Sequence, residues 1–226
     1  MEKRRDAILK TIDPYARIMD VPDRKVGIAL LQKIEWCGRI SHRSEDALTE
    51  ASWERFLRAV VLGKGDWSIV EHACVSVDAI VDRGITHEWV RHRLASYTQE
   101  STRFVNYEKK MPASFIVPPG LTVGQTARWV TGVEQAELAY RAMIHDGASP
   151  QIARSAFPNA LASRIVTTCN LRNWRHFLLM RTTREAHPQM RQVTIPLLKE
   201  FQERIPILFE DIEPEATQAD NLRKMR

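Results

Sequence analysis

Apolar residues recur at helical spacing in several segments, so much of the chain is predicted to be helical. Three of these segments are long, at residues 23–37, 47–62 and 122–146. Asp23 follows Pro22 and is the expected N-cap of the first helix, because its carboxylate can accept a hydrogen bond from the first turn. Shorter helical patterns occur at residues 84–90, 149–156 and 193–205, and in the segment that follows Asn170.

Alternating apolar positions predict strands between these helices. The clearest case is residues 73–82, where Val75, Val77, Ala79 and Val81 occupy every second position. Further extended segments are expected at residues 96–98, 114–117 and 163–169. The predicted strands are too far apart for simple hairpins, and no Gly-rich dinucleotide turn is present. We therefore expect an α/β fold: a single helix-rich domain over residues 1–226 with a central mixed or antiparallel sheet, and not a Rossmann unit.

The composition is typical of a soluble globular protein, with 44% hydrophobic and 27% charged residues. No apolar run approaches the ~18 residues of a membrane span. The N-terminal residues also lack the apolar stretch of a signal peptide, so a cytoplasmic protein that has no membrane partner is expected. Cys37, Cys74 and Cys169 are far apart and form no Cys-x-x-Cys pair, which argues against a disulfide framework and a thiolate zinc site.

Residues 91–103 (Arg-His-Arg-Leu-Ala-Ser-Tyr-Thr-Gln-Glu-Ser-Thr-Arg) concentrate cationic and hydroxyl side chains. Because a guanidinium stays charged at any working pH and presents a planar fork of donors, the cluster suits phosphate or carboxylate. On residue type alone, a solvated basic turn is an equally good interpretation. Thr86 is a possible cap for the helix at residues 84–90. The cluster would then lie at the C-terminal end of that helix, where the dipole favours cations.

The order of residues in this cluster resembles the signature of the flavin-dependent thymidylate synthases. That signature is Arg-His-Arg, seven residues, Ser, and an Arg two positions later; Arg91-His92-Arg93, Ser101 and Arg103 match it. The similarity extends from about Ser68 to Arg181. It implies reductive methylation of deoxyuridylate (dUMP) to thymidylate (dTMP). Methylenetetrahydrofolate would be the one-carbon donor, and reduced FAD, regenerated by NADPH, the hydride donor. It also implies a homotetramer with active sites at subunit interfaces, and no protein nucleophile on the pyrimidine.

The resemblance assigns expected roles to individual positions. The residues expected to bind FAD are Ser68, Arg91, His92, Arg93, Gln99, Asn170, Arg172 and His176. The residues expected to bind dUMP are Glu88, Arg91, Gln99, Glu100, Ser101, Arg103, Arg154 and Arg181. Asp66 stands where many members have His, so it receives no flavin role, and Glu88 stands where some members have Gln. The assignment ends at Arg181, because residues 186–191 depart from the family pattern.

Elementary chemistry agrees with these roles. Arg103 and Arg154 can bind the dianionic phosphate of the nucleotide, and Ser101 can add a hydroxyl contact. Methylation at C5 requires electron density to be pushed into the uracil ring. Arg181, placed against a uracil oxygen, would stabilise the negative charge that develops at N3 and O2, and is therefore the expected catalytic residue. Arg93 and Arg172 are expected on the pyrophosphate of the flavin.

Two other hypotheses stay open at this point. The first is a nucleic-acid-binding protein that uses the Arg-rich strand together with Tyr97, Phe104 and Tyr107 as stacking aromatics. A net charge of +5 is mild for that class, so no nucleic-acid partner is expected. The second is an inactive relative of the family. No metal site is expected either, because His87 and His92 are five residues apart and would point to different faces of a helix.

Overall fold

The computed structural model describes residues 9–109 and 111–216. The beginning of the N-terminal segment and the end of the C-terminal tail lie outside these residues. The described chain forms two compact units. The first contains the chain up to Tyr15 together with Ile80–Trp89 and Gln99–Ile165. The second contains Ala16–Ala79, Val90–Thr98 and the chain from Val166 onwards.

A sheet of four strands has the order β1-β2-β4-β3. Its members are β1 (Tyr15–Ile18), β2 (Cys74–Asp82), β3 (Ser96–Gln99) and β4 (Ala162–Asn170). The β2–β4 register is antiparallel, because the Ser76 and Thr168 hydroxyls are 2.9 Å apart and Arg83 N donates to Leu161 O at 3.0 Å. The expected helix-rich α/β fold with an antiparallel sheet is confirmed. The single domain over residues 1–226 stays a prediction.

Where the structure describes the first unit, it has three α-helices: α3 (Arg83–Trp89), α4 (Val123–His145) and α5 (Pro150–Ala153). Helix α4 begins with a capping box, in which Thr122 and Gln125 exchange side-chain and backbone hydrogen bonds. The apolar core of this unit contains two phenols, Tyr107 and Tyr140, whose rings lie 6.0 Å apart. The remaining buried members of this core are Leu9, Ala113, Phe115, Val133, Ala153 and Leu161.

The described residues of the second unit form four α-helices. They are α1 (Arg24–Ile40), α2 (Ser52–Leu57), α6 (Leu171–Arg181) and α7 (Pro188–Arg204). Helix α2 continues as a π-helical segment at Arg58–Gly63. Gly27 brings α1 close to the end of α7, because a Cβ at this position would lie 1.8 Å from Arg204 O. The core includes the aromatic chain Trp174, Phe201 and Phe209, with ring centres 5.6 and 4.8 Å apart.

Several local predictions are confirmed. Asp23 caps α1, because its carboxylate accepts from Val26 N at 2.9 Å. Asn170 caps α6, because its side-chain oxygen accepts from Asn173 N at 2.9 Å. The strand predicted at residues 73–82 is β2, and the strand predicted at 163–169 is β4.

Other local predictions are wrong. Thr86 lies inside α3 and donates to Arg83 O; the cap of that turn is Asp82, whose carboxylate accepts from Ile85 N at 2.8 Å. Helix α1 extends through the expected turn to Ile40, and α2 begins five positions after the predicted residue 47. The strand expected at 114–117 is reduced to isolated bridges of Phe115 to Thr11 and Leu161. In the described part of the chain, no helix is long and apolar enough to cross a membrane.

Candidate functional site

Strand β4 runs directly into helix α6, and this junction positions the first group of candidate residues. Asn170 ends the strand and caps the helix, and Leu171 N donates to Ala73 O at 2.9 Å. The buried face of α6 includes Trp174, whose indole Nε1–H donates to Val75 O at 2.8 Å. Because one face is held against β2 in this way, the polar residues of α6 are presented on its other side.

A cavity of about 450 Å³ lies against that polar side of α6. Its volume is within the range typical of sites for small ligands. Helix α6 contributes five lining residues between positions 172 and 179, and spacings of three, four and seven positions place them along one helix face. The lining residues are Trp67, Glu71, Leu94, Arg172, Asn173, Arg175, His176 and Leu179.

Arg172 and Glu71 form an ion pair at this cavity. The Nη1–Oε1 distance is 2.6 Å, and both side chains are about half exposed. The pair is therefore accessible to a ligand that competes for the guanidinium. Ser68, an expected flavin residue, lies on the same short 3₁₀ turn as Glu71, at Trp67–His72, and is exposed.

Arg175 is the buried cation of the cavity wall. Its side chain is 4% exposed, and it forms a two-pronged ion pair with Asp211 at 2.6 and 2.7 Å. Its Nη1 also donates to Leu208 O at 2.6 Å. The guanidinium carbon lies 4.6 Å from the centre of the Trp67 ring, which is a cation–π contact. Contacts within the protein therefore hold the Arg175 guanidinium in place.

The Arg-His-Arg motif presents two exposed cations and one partly buried imidazole. Among residues 9–109 and 111–216, the side chains of Arg91 and Arg93 have no hydrogen-bond or ion-pair partner. His92, in contrast, accepts a hydrogen bond at Nε2 from Arg181 Nε at 2.8 Å. Its ring lies edge-on to Phe177, with centroids 4.7 Å apart, and 5.8 Å from the ring of His176.

Burial and neighbouring charge lower the pKa of both of these imidazoles. Burial lowers the pKa of His92 to about 4, and the charges of Arg181 and His176 act in the same direction. Burial and Arg181 also lower the pKa of His176. A neutral His92 is consistent with its hydrogen bond, since only an unprotonated ring nitrogen can accept from Arg181.

The turn after the motif is held in an uncommon backbone conformation. Leu94 has a φ of 65°, although it is not glycine, and its side chain is 84% exposed. The Leu94 carbonyl accepts from Asn173 Nδ2 at 2.9 Å, and Tyr97 donates its phenol to the carbonyl of His92. These two hydrogen bonds, one from α6 and one from β3, stabilise the turn at Leu94 in its positive-φ conformation.

The first unit contains a second group of candidate residues. Gln99 Nε2 donates to Thr86 Oγ1 at 2.9 Å and to Ser163 Oγ at 3.1 Å. Glu100 accepts from the Tyr107 phenol at 2.6 Å. Burial and this bond raise the pKa of Tyr107 far above its ordinary value. Tyr107 is only 6% exposed, so it does not offer the stacking face that the nucleic-acid hypothesis requires.

The phosphate candidates lie in the turn at residues 101–103 and in the 3₁₀ turn Arg154–Ala156 that follows α5. Ser101 Oγ accepts from the backbone N–H of Arg103 at 3.3 Å, and Arg103 itself is exposed. Arg154 is also exposed, and its Nη1 donates to Thr102 Oγ1 at 3.0 Å. Glu88 is half-buried near the end of α3. Ser101, Arg103 and Arg154 therefore lie in two segments of the first unit that the Arg154–Thr102 hydrogen bond connects.

Most FAD candidates lie in the second unit, and most dUMP candidates lie in the first. The FAD candidates in the second unit are Ser68, Arg91, His92, Arg93, Asn170, Arg172 and His176. The dUMP candidates in the first unit are Glu88, Gln99, Glu100, Ser101, Arg103 and Arg154. Gln99 was expected to bind both ligands, and it lies in the first unit. Arg91 and Arg181 lie in the second unit, where Arg181 donates a hydrogen bond to His92.

Sequence analysis did not identify Trp67, Asn173, Arg175 or Leu179 as part of this cavity. A signal for Asn173 and Leu179 was present, because each is three residues from His176 on a predicted helix. No local signal marks Trp67 or Arg175. Their contact joins a 3₁₀ turn to α6, and their partner Asp211 follows α7 in the chain.

Comparison with known proteins agrees with the motif. The family model described as thymidylate synthase complementing protein matches residues 29–207. The chain belongs to the thymidylate synthase complementing protein family. A flavin-dependent thymidylate synthase from Mycobacterium sp. (strain KMS) is 32% identical over 224 aligned positions, covering 86% of this chain and 84% of that protein. One from Pyrococcus furiosus is 31% identical over 195 positions, covering 81% and 77%.

Solved structures share the fold of this family member. The crystal structure of PolB from Streptomyces cacaoi, a UMP/dUMP methylase bound with 5-Br dUMP, superposes with a TM-score of 0.74. The superposition covers 90% of this chain and 96% of PolB at 22% sequence identity. At that identity the likeness concerns the fold.

Proposed function

We propose that this protein is a flavin-dependent thymidylate synthase that methylates dUMP to dTMP. The observation that carries the proposal is the contact between two motifs of the family in the second unit. The His92 ring of the Arg-His-Arg motif lies 5.8 Å from His176 of the Asn-x-Arg-x-x-x-His element. His92 also accepts from Arg181, the expected catalytic residue, at 2.8 Å. His176 lines the cavity beside α6.

The residues at this cavity fit a flavin dinucleotide. A guanidinium is a good partner for a pyrophosphate, and Arg172 is half exposed there. Arg91 and Arg93 are exposed cations on the neighbouring motif, and Asn173 and His176 add polar groups that can orient a ring. When bound and reduced, the flavin supplies the hydride of the reaction. The chain's own contribution at this site is to bind the cofactor.

The phosphate-binding part of the nucleotide site is proposed in the first unit. Arg103 and Arg154 bind the phosphate, and the Ser101 hydroxyl adds a hydrogen bond. The contact of Arg154 with Thr102 at 3.0 Å supports this arrangement, because it holds the Arg154 guanidinium at the segment that contains Ser101 and Arg103. Glu88, Gln99 and Glu100 supply hydrogen-bonding groups for the rest of the nucleotide.

Arg181 is proposed to stabilise the uracil as it becomes electron-rich. Because His92 is neutral, it accepts a hydrogen bond from Arg181 without neutralising its charge. Ser101 is proposed to bind rather than attack. Within residues 9–109 and 111–216, no imidazole or carboxylate hydrogen-bonds to its hydroxyl, so the base that would activate a nucleophile does not contact it.

The wider assignment follows the resemblance of the sequence to the family. Methylenetetrahydrofolate is the proposed one-carbon donor, and NADPH is the proposed reductant of FAD. The protein is proposed to be a homotetramer with active sites at subunit interfaces, which also provides surface for the part of the dinucleotide that extends beyond one cavity. The cytoplasmic location stays a prediction.

The test is a reconstituted assay with purified protein and FAD. We expect a yellow protein whose flavin is bleached by NADPH, and dTMP formation that requires methylenetetrahydrofolate. Release of tritium from C5-labelled dUMP should accompany product formation. Suppose that the protein binds FAD, but that dUMP does not raise its thermal stability and no tritium is released. That result would support the hypothesis of an inactive relative instead. A protein that takes up no FAD would overturn the proposal.

A further inference from the structure

One aromatic side chain of the cavity has no role in either motif. Trp67 begins the 3₁₀ turn Trp67–His72, directly before Ser68, and it is partly exposed. It lines the cavity together with Arg172 and His176. An indole is the largest aromatic surface that a protein can offer to a ligand, so its presence in this wall has consequences for what the cavity binds.

The position of the indole is fixed before any ligand arrives. Arg175 stacks on it with its guanidinium carbon 4.6 Å from the ring centre. Arg175 is buried, and its guanidinium donates two hydrogen bonds to Asp211 and one to Leu208 O. Three hydrogen bonds to charged or carbonyl oxygens fix the Arg175 guanidinium in place. The cation–π contact with this fixed group therefore restrains the indole of Trp67.

The remaining lining selects the chemistry of the occupant. Leu94 and Leu179 are aliphatic, whereas Arg172 offers a half-exposed cation. An indole, aliphatic side chains and an accessible guanidinium together suit a flat heteroaromatic ring that carries an anionic group. A dinucleotide flavin has this composition at both of its ends.

We propose that Trp67, held by Arg175, is the stacking surface for a ring of the bound flavin dinucleotide. The inference rests on the proposed function, because it takes FAD as the ligand. The ring is either the isoalloxazine or the adenine, which share the chemistry of a fused nitrogen heterocycle. Trp67 thereby adds binding affinity that the polar residues of the motifs do not supply.

The experiment is a titration of each purified variant with FAD, followed by quenching of flavin fluorescence. Trp67→Leu removes the aromatic face and should weaken FAD binding by roughly tenfold. Trp67→Phe keeps an aromatic ring and should restore most of the affinity. Trp36→Leu is the matched control, since Trp36 is an exposed indole of the second unit that does not line the cavity, and it should bind FAD as the wild type does.

Shorter ligands distinguish the two rings. If Trp67→Leu weakens FMN as well as FAD, the indole stacks on the isoalloxazine; if it weakens ADP but not FMN, the indole stacks on the adenine. Equal FAD affinity in Trp67→Leu and the wild type would overturn the inference and leave the proposed function intact. Absence of FAD binding by the wild type would overturn the proposed function itself.

A second measurement does not depend on the folding of Trp67→Leu. The indole N–H resonance of Trp67 can be identified in the wild type as the signal that Trp67→Phe lacks. We expect this signal to shift when FAD is added, because a stacked ring changes the magnetic environment of the indole. A resonance that stays in place at saturating FAD would overturn the inference.

Discussion

Arg181 donates from Nε to Nε2 of His92 across 2.8 Å, and this bond joins two residues that were expected to serve different ligands. His92 was expected at the flavin and Arg181 at the uracil. In the second unit they form one pair, in which the imidazole is the acceptor and stays neutral. The state of one residue therefore depends on the other, and this dependence can be measured.

The first prediction concerns the charge of His92. Arg181→Ala removes a positive charge that lowers the pKa of His92, whereas burial, the larger cause, remains. We expect the pKa to rise above about 4 yet stay below 6.5, as measured by an NMR titration of the imidazole signals. The same variant should retain FAD and lose tritium release from C5-labelled dUMP. Arg184→Ala, an exposed neighbour, is the control, and an unchanged His92 titration in Arg181→Ala would contradict the prediction.

The second prediction concerns stability against pH. The pKa of His92 is depressed from 6.5 to about 4, so between these values the unfolded chain binds a proton that the folded chain does not. Stability should therefore fall as pH decreases from 6.5 to 4. The loss is at most about 3 kcal/mol, and smaller because the ring is partly exposed to solvent.

Urea unfolding at closely spaced pH values measures this effect. His92→Gln keeps a polar side chain of similar reach but has no proton to bind in this range. Its stability should depend less steeply on pH than that of the wild type between 6.5 and 4. Parallel curves for the two proteins would show that His92 does not carry the dependence.

The third prediction concerns the competition for Arg172. Glu71 holds its guanidinium at 2.6 Å, and a bound pyrophosphate must share or displace that carboxylate. Arg172→Ala should weaken FAD binding by about tenfold or more, since a charge-assisted hydrogen bond is worth roughly 1.5–3 kcal/mol. Glu71→Gln should tighten FAD binding by a few-fold only, because ion pairs between half-exposed groups are worth at most about 1 kcal/mol.

The same unit provides a control for this experiment. Arg58 forms an ion pair with Glu54 at 3.3 Å and is exposed to a similar degree, but it does not line the cavity beside α6. Arg58→Ala should leave FAD affinity unchanged in the same fluorescence titration. If Arg58→Ala and Arg172→Ala weaken FAD equally, general electrostatic attraction would explain the effect rather than a specific contact.

The fourth prediction separates a binding serine from a nucleophile. Ser101→Ala removes a hydroxyl that accepts from Arg103 N, so it should weaken dUMP binding and raise KM while some turnover remains. Ser155→Ala is the matched control in the first unit, because its hydroxyl donates only locally, to Ile152 O at 2.8 Å. Complete loss of turnover in Ser101→Ala, with dUMP still bound, would support a nucleophilic serine instead.

The fifth prediction concerns Asn170, an expected flavin residue that also caps α6. Asn170→Ala should destabilise the protein by about 1 kcal/mol even without flavin, because the N–H of Asn173 loses its acceptor. Asn170→Asp keeps an acceptor and should keep most of the stability. Thr122→Ala removes the cap of α4 and should cost a similar amount in chemical denaturation without changing FAD affinity. Unaltered stability in Asn170→Ala would argue that the cap is unimportant.

Local features of the fold were predictable because their causes lie within a few residues. Asp23 and Asn170 each accept from the N–H three positions later, so sequence spacing alone marks them. The apolar residues at every second position of β2 likewise predict both the strand and the buried side chains at those positions. The error at Thr86 has the same local character: Asp82, four positions earlier, competes for the cap, and the Thr86 hydroxyl bonds within the helix. Strand β1 was missed because four residues carry too little pattern.

The family motif was also readable from the sequence, since Arg91, His92, Arg93, Ser101 and Arg103 occur in one short run. Its partners were not. Arg172 meets Glu71 across 101 positions, Arg181 meets His92 across 89, and Arg175 meets Asp211 across 36. These pairs exist only because the strands and helices bring distant segments together. Spacing along the chain specifies caps, strands and motif order, whereas the tertiary structure alone decides which cation faces a carboxylate, an imidazole or an open cavity.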